Sequence, residues 1–387
     1  MSWPERVRSA IKKLEFIHRA LKDRFTDRDE AVDLLGLATV CRENLLIVGP
    51  PGTAKTDLIS RYAAMLDMQS FQYLLSRFTE PSELFGPIDF GAFQKGTYRI
   101  RTEGMLPEAD LVFLDEVFQG SSAILNSLLA ILNERVFHNG ATRQRVPAVT
   151  VVGATNTIPD DPSLHAFGDR FVLRLRLDRV EDGHVPDLIE KGWALETERI
   201  REATGEATDR EEGYIKADDV RHLHGRLPEV KLADIRPEYS RLVCQIRAEG
   251  VEFSDRRALK GLKLVAGAAL LRGADTPSVQ DFWPLRHIWV HPEEAGGIRN
   301  VIDPCLAGAG VSLGRTARPA ADITGDLEIL RGHESTLVSE AAIGAHLVSL
   351  NRLRRELIID RGGNRELLQP VEEAIQRAME KLEVSHV

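Results

Sequence analysis

The chain has 387 residues, of which 43% are hydrophobic and 28% charged, and its formal net charge is −9. This length allows two or three domains, and the composition is ordinary for a soluble globular protein. No run approaches the ~20 apolar residues of a membrane helix, and the acidic balance disfavours broad electrostatic binding of nucleic acid. The three cysteines lie far apart in the sequence, so we expect a reducing, cytoplasmic location.

The first 43 residues predict helices, because Val7, Ile11, Leu14 and Leu21 recur on one helical face. Residues 44–49, NLLIVG, are a short apolar run that stops at a Gly-Pro-Pro-Gly turn. After this turn, apolar residues return at helical spacing. The order is therefore strand, loop and helix.

The same unit recurs along the chain. Residues 110–116 (DLVFLDE) and 149–156 (VTVVGATN) are apolar runs that end in polar residues, and a helical pattern separates them. Residues 171–177 (FVLRLRL) alternate, as expected for a strand with one wetter face. Strands interleaved with helices predict an α/β fold with a parallel sheet between helices, and ligands bind at the carboxyl ends of such strands.

Beyond about residue 180 the sequence predicts helices only. We expect an α/β core at 1–180, an all-α lid subdomain at 181–300 and a helical C-terminal module at 301–387. The module contains two apolar stripes at helical spacing: Ile343, Leu347, Leu350, Leu353 and Leu357, then Val371, Ile375, Ala378 and Leu382.

The segment GPPGTAKT (49–56) resembles a phosphate-binding loop, whose usual pattern is G-x-x-x-x-G-K-[ST]. Ala54 replaces the last glycine, and we expect it to adopt the helical dihedrals of a helix start. Lys55 would contact the β- and γ-phosphates and the Thr56 hydroxyl would bind Mg²⁺. An ordinary strand-to-helix turn is the alternative. The predicted nucleotide-binding residues are Gly49, Pro50, Pro51, Gly52, Thr53, Ala54, Lys55, Thr56 and Asp57.

An acid pair follows the second strand, about 60 residues downstream of the loop. Asp115 would hold Mg²⁺ through water, and Glu116 would polarise the water that attacks the γ-phosphate. Two acids after an apolar run could also cap a helix. Their spacing from the phosphate-binding loop favours the catalytic role.

Three segments resemble the MoxR family of AAA+ ATPases, and most of all its RavA-like branch. They are SRFTEPSELFGP (76–87), GMLPEADLVFLDEVFQGSSAILNSLLAILNERVFHNG (104–140) and VGATN (152–156), and the resemblance extends over residues 20–300. It implies an AAA+ P-loop fold, ATP and Mg²⁺ as cofactors, and a homo-oligomeric ring, commonly a hexamer. It also implies chaperone-like action on a protein client with a von Willebrand A domain partner. Alanine before the loop lysine is tolerated in this family.

The resemblance assigns three further site residues. Asn156 is similar to the sensor 1 residue, Arg170 to the arginine finger that reaches a neighbouring subunit, and Arg256 to sensor 2, a role that Arg257 could also take. Each has a plainer alternative: a turn asparagine, an ion pair with Asp169, and a solvated helix start.

Two insertions are candidates for client contact. Residues 85–107 contain Gly91, Gly96 and Gly104 and an alternating run, which suggest a hairpin, and residues 137–146 contain a candidate Asn-Gly turn. In related ATPases such elements face the central pore. The candidate contact residues are Phe93, Tyr98, Arg143 and Arg145, although solvated loops explain them equally well.

Two rival functions remain open at this level. One is a nucleic-acid translocase or metal-chelatase motor subunit, and the other is a nucleotide-gated scaffold with little turnover. The histidine pairs His222/His224 and His287/His291 lack accompanying cysteines or acids, which favours solvated or core histidines over a metal site.

Overall fold

The computed structural model describes residues 3–204, 214–309 and 365–385, together with individual residues between 327 and 357. Nine strands are assigned in this part of the chain: β1 (Leu45–Val48), β2 (Leu66–Asp67), β3 (Ser70–Leu74), β4 (Leu111–Asp115), β5 (Val136–Asn139), β6 (Thr142–Arg145), β7 (Thr150–Thr155), β8 (Leu173–Arg176) and β9 (Ile215–Lys216).

The helices of the same residues are α1 (Glu5–Arg24), α2 (Asp29–Cys41), α3 (Lys55–Met65), α4 (Pro81–Phe85), α5 (Phe90–Gln94), α6 (Ser122–Glu134), α7 (Pro162–Gly168), α8 (Val185–Ala203), α9 (Ala217–Arg226), α10 (Arg236–Ala248), α11 (Asp255–Leu271), α12 (Glu294–Gly308) and α13 (Arg365–Ser385). Short 3₁₀ helices cover Leu106–Glu108, Val117–Gln119, Asp182–His184, Leu227–Glu229 and Val279–His287.

The predicted parallel α/β sheet is confirmed. Five strands pair in the order β3-β4-β7-β1-β8, and every pairing is parallel. All residues of β1 and β7 are buried, as expected for central strands covered on both faces. The edge strand β3, which the sequence analysis did not predict, alternates between exposed and half-buried residues.

Strand β8 differs from the prediction in one respect. Its alternating pattern indicated a wetter face, but Arg174 is buried with only 2% of its surface exposed. The guanidinium of Arg174 donates to the carbonyl oxygens of Gly168 and Phe171, at 2.6 and 3.3 Å. The charged group is therefore used inside the protein, where it caps the turn that precedes the strand.

Short strands also occur outside the main sheet. The β5–β6 hairpin is antiparallel, and its turn lies at Gly140–Ala141, one position beyond the predicted Asn-Gly turn, because Asn139 ends β5 and pairs with Thr142. The prediction of helices alone beyond residue 180 is wrong at β9, which pairs with β2 over two residues. The predicted hairpin in 85–107 is reduced to a single antiparallel bridge, Ile88 to Ile100, beside the short helix α5.

The chain divides into two compact units, one of residues 1–235 and 256–288 and the other of residues 236–255 and 289–387. The first unit contains the sheet. In the second, the predicted C-terminal stripes contribute to an apolar cluster that includes Leu350, Leu353, Leu357, Val371 and Ala378. The predicted boundaries at 180 and 300 do not coincide with this division, and as functional domains they stay predictions. Much of 301–387 lies outside the described residues. No described helix is long and apolar enough to span a membrane.

Candidate functional site

A cleft of about 540 Å³ lies at the carboxyl ends of β1, β4 and β7. The phosphate-binding loop follows β1, Asp115 ends β4 and Asn156 follows β7. Because parallel neighbouring strands end at the same edge of the sheet, residues that are distant in sequence meet there, as do Lys55 and Asn156, which are 101 positions apart. The residues that line the cleft are Pro51, Gly52, Thr53, Ala54, Lys55, Thr56, Asp57, Ser60, Asp115, Glu116, Asn156 and Arg199.

Glycine is required at the start of the loop. A Cβ atom on Gly49 would lie 2.2 Å from the carbonyl oxygen of Leu177, a contact that no side chain can make. Gly52 has a φ of +81°, in the left-handed region that glycine adopts without strain. The Thr53 hydroxyl donates to the Pro50 carbonyl at 3.0 Å and closes the turn from within.

Ala54 does not adopt the helical dihedrals expected from the sequence. Its φ is +61° and its ψ +24°, so the last position of the loop is left-handed although it has a side chain. Left-handed residues in such loops turn successive N–H groups toward one concave side, where an anion can bind. The usual glycine at this position therefore has a conformational role. Alanine can adopt the same left-handed conformation, but only with backbone strain.

Ala54→Gly is therefore expected to raise the free energy of unfolding by up to ~1 kcal/mol. The left-handed region costs an L-residue ~1–2 kcal/mol, and the greater backbone freedom of glycine when unfolded offsets part of the gain. Urea unfolding measures the change, with Ala54→Val as the destabilising control. A glycine variant less stable than the wild type would contradict the observed backbone conformation. ATP affinity should change little, since the substitution leaves the Lys55 and Thr56 side chains of the loop unchanged.

The ammonium of Lys55 is held at the base of the loop. It donates to the carbonyls of Gly49 and Pro50 and, at 3.3 Å, to Oδ1 of Asn156. Burial lowers the pKa of Lys55, while Asp115 and Glu116 act in the opposite direction. The lysine thus faces both the loop and the acid pair, which is the arrangement needed for a phosphate chain between them.

Thr56 and Asp115 form the predicted magnesium position. The Thr56 hydroxyl donates to Oδ2 of Asp115 at 3.0 Å, and the other carboxylate oxygen accepts from the backbone N–H of Glu116. A hydroxyl and a carboxylate are oxygen ligands that fit Mg²⁺, which otherwise keeps waters and substrate phosphates. Among the described residues no cluster of three or more His, Cys, Asp or Glu side chains is arranged for a metal, the histidine pairs included.

Glu116 and Asn156 are in direct contact. The Asn156 amide donates to Oε1 of Glu116 at 2.5 Å, while its oxygen accepts from Lys55. Glu116 itself has a left-handed backbone, with φ +48°. Asn156 therefore connects Lys55, which is predicted to bind phosphate, with Glu116, the predicted catalytic acid.

Four predicted site residues are not among those that line this cleft: Gly49 and Pro50, which begin the loop, and the two arginines Arg170 and Arg256. Arg170 pairs with Asp169 at 3.3 Å, as the plainer alternative anticipated, and Arg256 contacts the same carboxylate at 3.5 Å. Arg256 also donates to Oδ1 of Asn133. Arg257 is buried and pairs with Asp169 as well. All three arginine candidates therefore contact Asp169, and none of them is among the residues that line the cleft.

Arg199 is a lining residue that the sequence analysis missed. Its guanidinium pairs with Asp57 at 2.7 Å, and this interaction raises the pKa of Arg199. Arg61 also contacts Asp57 at 3.5 Å, so the Asp57 carboxylate interacts with two cations. Arg199 lies on α8, far along the chain in a helix rich in charges, and no local pattern separates it from its neighbours.

The candidate client-contact side chains are on the surface. Phe93 and Tyr98 are about half exposed, and Arg143, which is on the β5–β6 hairpin, pairs with Glu134 at the end of α6. Phe78, which was not singled out from the sequence, is 92% exposed. Asn139 joins the two insertions, because its side chain bonds to both the N–H and the carbonyl of Ile100.

Known proteins are similar in sequence or in fold to much of this chain. A family model described as the MoxR domain in the MoxR-vWA-beta-propeller ternary systems matches residues 12–223. The uncharacterized protein MJ0812 of Methanocaldococcus jannaschii is 33% identical to this chain, over 73% of this chain and 72% of its own length. The uncharacterized protein MJ0079 of the same organism is 32% identical, over 72% of this chain and 70% of its own length.

A crystal structure of a candidate ATPase from Cytophaga hutchinsonii has the same fold, with a TM-score of 0.60. It is 18% identical, and the match covers 78% of this chain and 96% of that one. Since the matching family model covers more than half of the 387 residues, the chain belongs to the MoxR family of AAA+ ATPases.

Proposed function

We propose that the protein forms a hexameric ring and hydrolyses Mg-ATP at its subunit interfaces. The reaction is used to remodel a protein partner. One observation carries this proposal. Lys55, Thr56, Asp115, Glu116 and Asn156 converge in one cleft, while Arg170 is not among the residues that line it. The cleft has a phosphate-binding residue, metal ligands and a base, and in the proposed ring Arg170 of a neighbouring subunit would add a cation to those that the chain itself places there, Lys55 and Arg199.

The residues divide the reaction between them. Lys55 and the loop bind the phosphate chain, and Thr56 and Asp115 would hold Mg²⁺, which neutralises charge on the β- and γ-phosphates. Glu116 accepts a proton from the attacking water, and Asn156 orients Glu116 through its amide. Arg170 of a neighbouring subunit would stabilise the charge that develops on the γ-phosphate.

The partner is proposed from the family. The matching model is described as the MoxR domain of MoxR-vWA-beta-propeller ternary systems, which supports a von Willebrand A domain partner. The chaperone-like role is proposed from the resemblance of the sequence motifs. Assignment to the RavA-like branch stays a prediction from the sequence motifs. The net charge of −9 counts against a nucleic-acid translocase.

ATP hydrolysis and assembly test the proposal together. We expect Mg²⁺-dependent phosphate release and an ATP-stabilised ring in analytical ultracentrifugation. Lys55→Ala should weaken ATP binding by about 10- to 100-fold, the equivalent of a lost hydrogen bond to a charged group at ~1.5–3 kcal/mol. The exposed Lys216→Ala is the control. Tight ATP binding with ring assembly but no turnover would leave the scaffold function instead.

A further inference from the structure

Asp169 accepts hydrogen bonds from three arginines. It lies in the turn between α7 and β8, beside Arg170. Its Oδ1 accepts from Arg257 at 2.9 Å, and its Oδ2 accepts from Arg170 at 3.3 Å and from Arg256 at 3.5 Å. Two residues that the family resemblance assigns to phosphate recognition therefore share one carboxylate oxygen.

The three arginines are held to different degrees. The side chain of Arg257 is 3% exposed and also donates to the carbonyl of Ile288 at 2.7 Å, so it anchors Asp169. The side chains of Arg170 and Arg256 are 25% and 41% exposed, and their bonds to Asp169 are longer. Asp169 is thus fixed on one side and holds two accessible guanidinium groups on the other.

The backbone around Arg170 is fixed independently of this carboxylate. The buried Asn44 donates to the Arg170 carbonyl at 2.8 Å, and Arg174 donates to that of Gly168 at 2.6 Å. The turn therefore does not depend on Asp169 for its position. What the carboxylate decides is where the guanidinium of Arg170 points.

The charges of this cluster favour a further anion. Three guanidinium groups and one carboxylate leave two positive charges that Asp169 does not neutralise. A phosphate oxygen that approaches Arg170 competes with a single, long ion pair, and charge-assisted hydrogen bonds to phosphate are stronger than that pair. The carboxylate can orient the arginine without holding it away from its target.

We propose that Asp169, which is anchored by Arg257, is a positioning residue. It orients Arg170 toward the γ-phosphate of ATP that is bound in the cleft of a neighbouring subunit. The proposal rests on the function proposed above. It adds a residue to the transition-state machinery, and it gives Arg257 the role of an anchor rather than of a nucleotide contact.

Asp169→Asn tests this role, because the amide has the same shape but lacks the charge. We expect kcat to fall about 10-fold or more and the Kd for ATP to change less than about twofold, since the cleft is untouched. Asp169→Glu should recover part of the lost kcat. Asp218→Asn, which removes an exposed carboxylate paired with Arg221, should leave kcat unchanged.

Mixing experiments separate positioning from a loss of structure. Asp169→Asn subunits have an intact base, and Glu116→Gln subunits have an intact arginine, so co-assembled rings should regain activity above either variant alone. Recovery would support the proposal, and a co-assembled mixture that stays inactive would overturn it. If Arg170→Ala is inactive but Asp169→Asn has normal kcat, only the role of Asp169 is overturned. If Arg170→Ala itself has normal kcat, the proposed function falls too.

Discussion

Glu116→Gln is expected to bind ATP with near wild-type affinity and to hydrolyse it at least on the order of 10²-fold more slowly. The glutamine amide cannot accept a proton from water, so the chemical step loses its base. Lys55, Thr56 and Asp115 remain in place, and the hydrogen bond from Asn156 can still be made to the glutamine oxygen. Binding and turnover should therefore separate in this variant.

Single-turnover phosphate release and direct ATP titration measure these two quantities. The matched control is Glu134→Gln, because Glu134 is 61% exposed and pairs with Arg143 on the hairpin. It should hydrolyse ATP at the wild-type rate. Turnover of Glu116→Gln within about threefold of the wild type would show that another group activates the water.

Arg170→Ala is expected to lose roughly 10³- to 10⁵-fold in kcat, the contribution of arginine fingers in general. The subunit should still bind ATP, because Arg170 does not line its own cleft. The loss of turnover arises in the cleft of the neighbouring subunit, where the missing guanidinium no longer stabilises charge on the γ-phosphate. Arg226→Ala, which removes an arginine paired with Glu229, is the matched control.

Mixed rings decide whether Arg170 acts between subunits. An inactive Arg170→Ala protein mixed with an inactive Glu116→Gln protein should regain activity, because some interfaces then combine an intact base with an intact arginine. Hydrolysis per subunit should also rise with protein concentration as rings assemble by mass action. An inactive mixture whose co-assembly is demonstrated by native mass spectrometry would rule out the inter-subunit mechanism.

The sequence alone predicted the fold class from local patterns, and local patterns together with the family resemblance predicted five residues that the structure places in one cleft. Apolar or alternating runs between helical spacings identified β1, β4, β7 and β8. In a parallel sheet the carboxyl ends of these strands lie at one edge, so the polar residues that follow them were expected to lie close together there. Lys55, Thr56, Asp115, Glu116 and Asn156 do line one cleft. The edge strand β3 was missed because it lacks a continuous apolar run.

The tertiary structure decided the features that depend on contacts between distant segments. Backbone strain at Ala54 comes from the shape of the whole loop, which the residue's small size does not reveal. Arg174 is buried because carbonyls of the preceding turn accept its charge. Arg199 reaches Asp57 from another helix, and Arg256 and Arg257 reach Asp169 across 87 and 88 positions. Ion pairs of this kind depend on how the helices and strands pack, so the spacing of residues along the chain does not predict them.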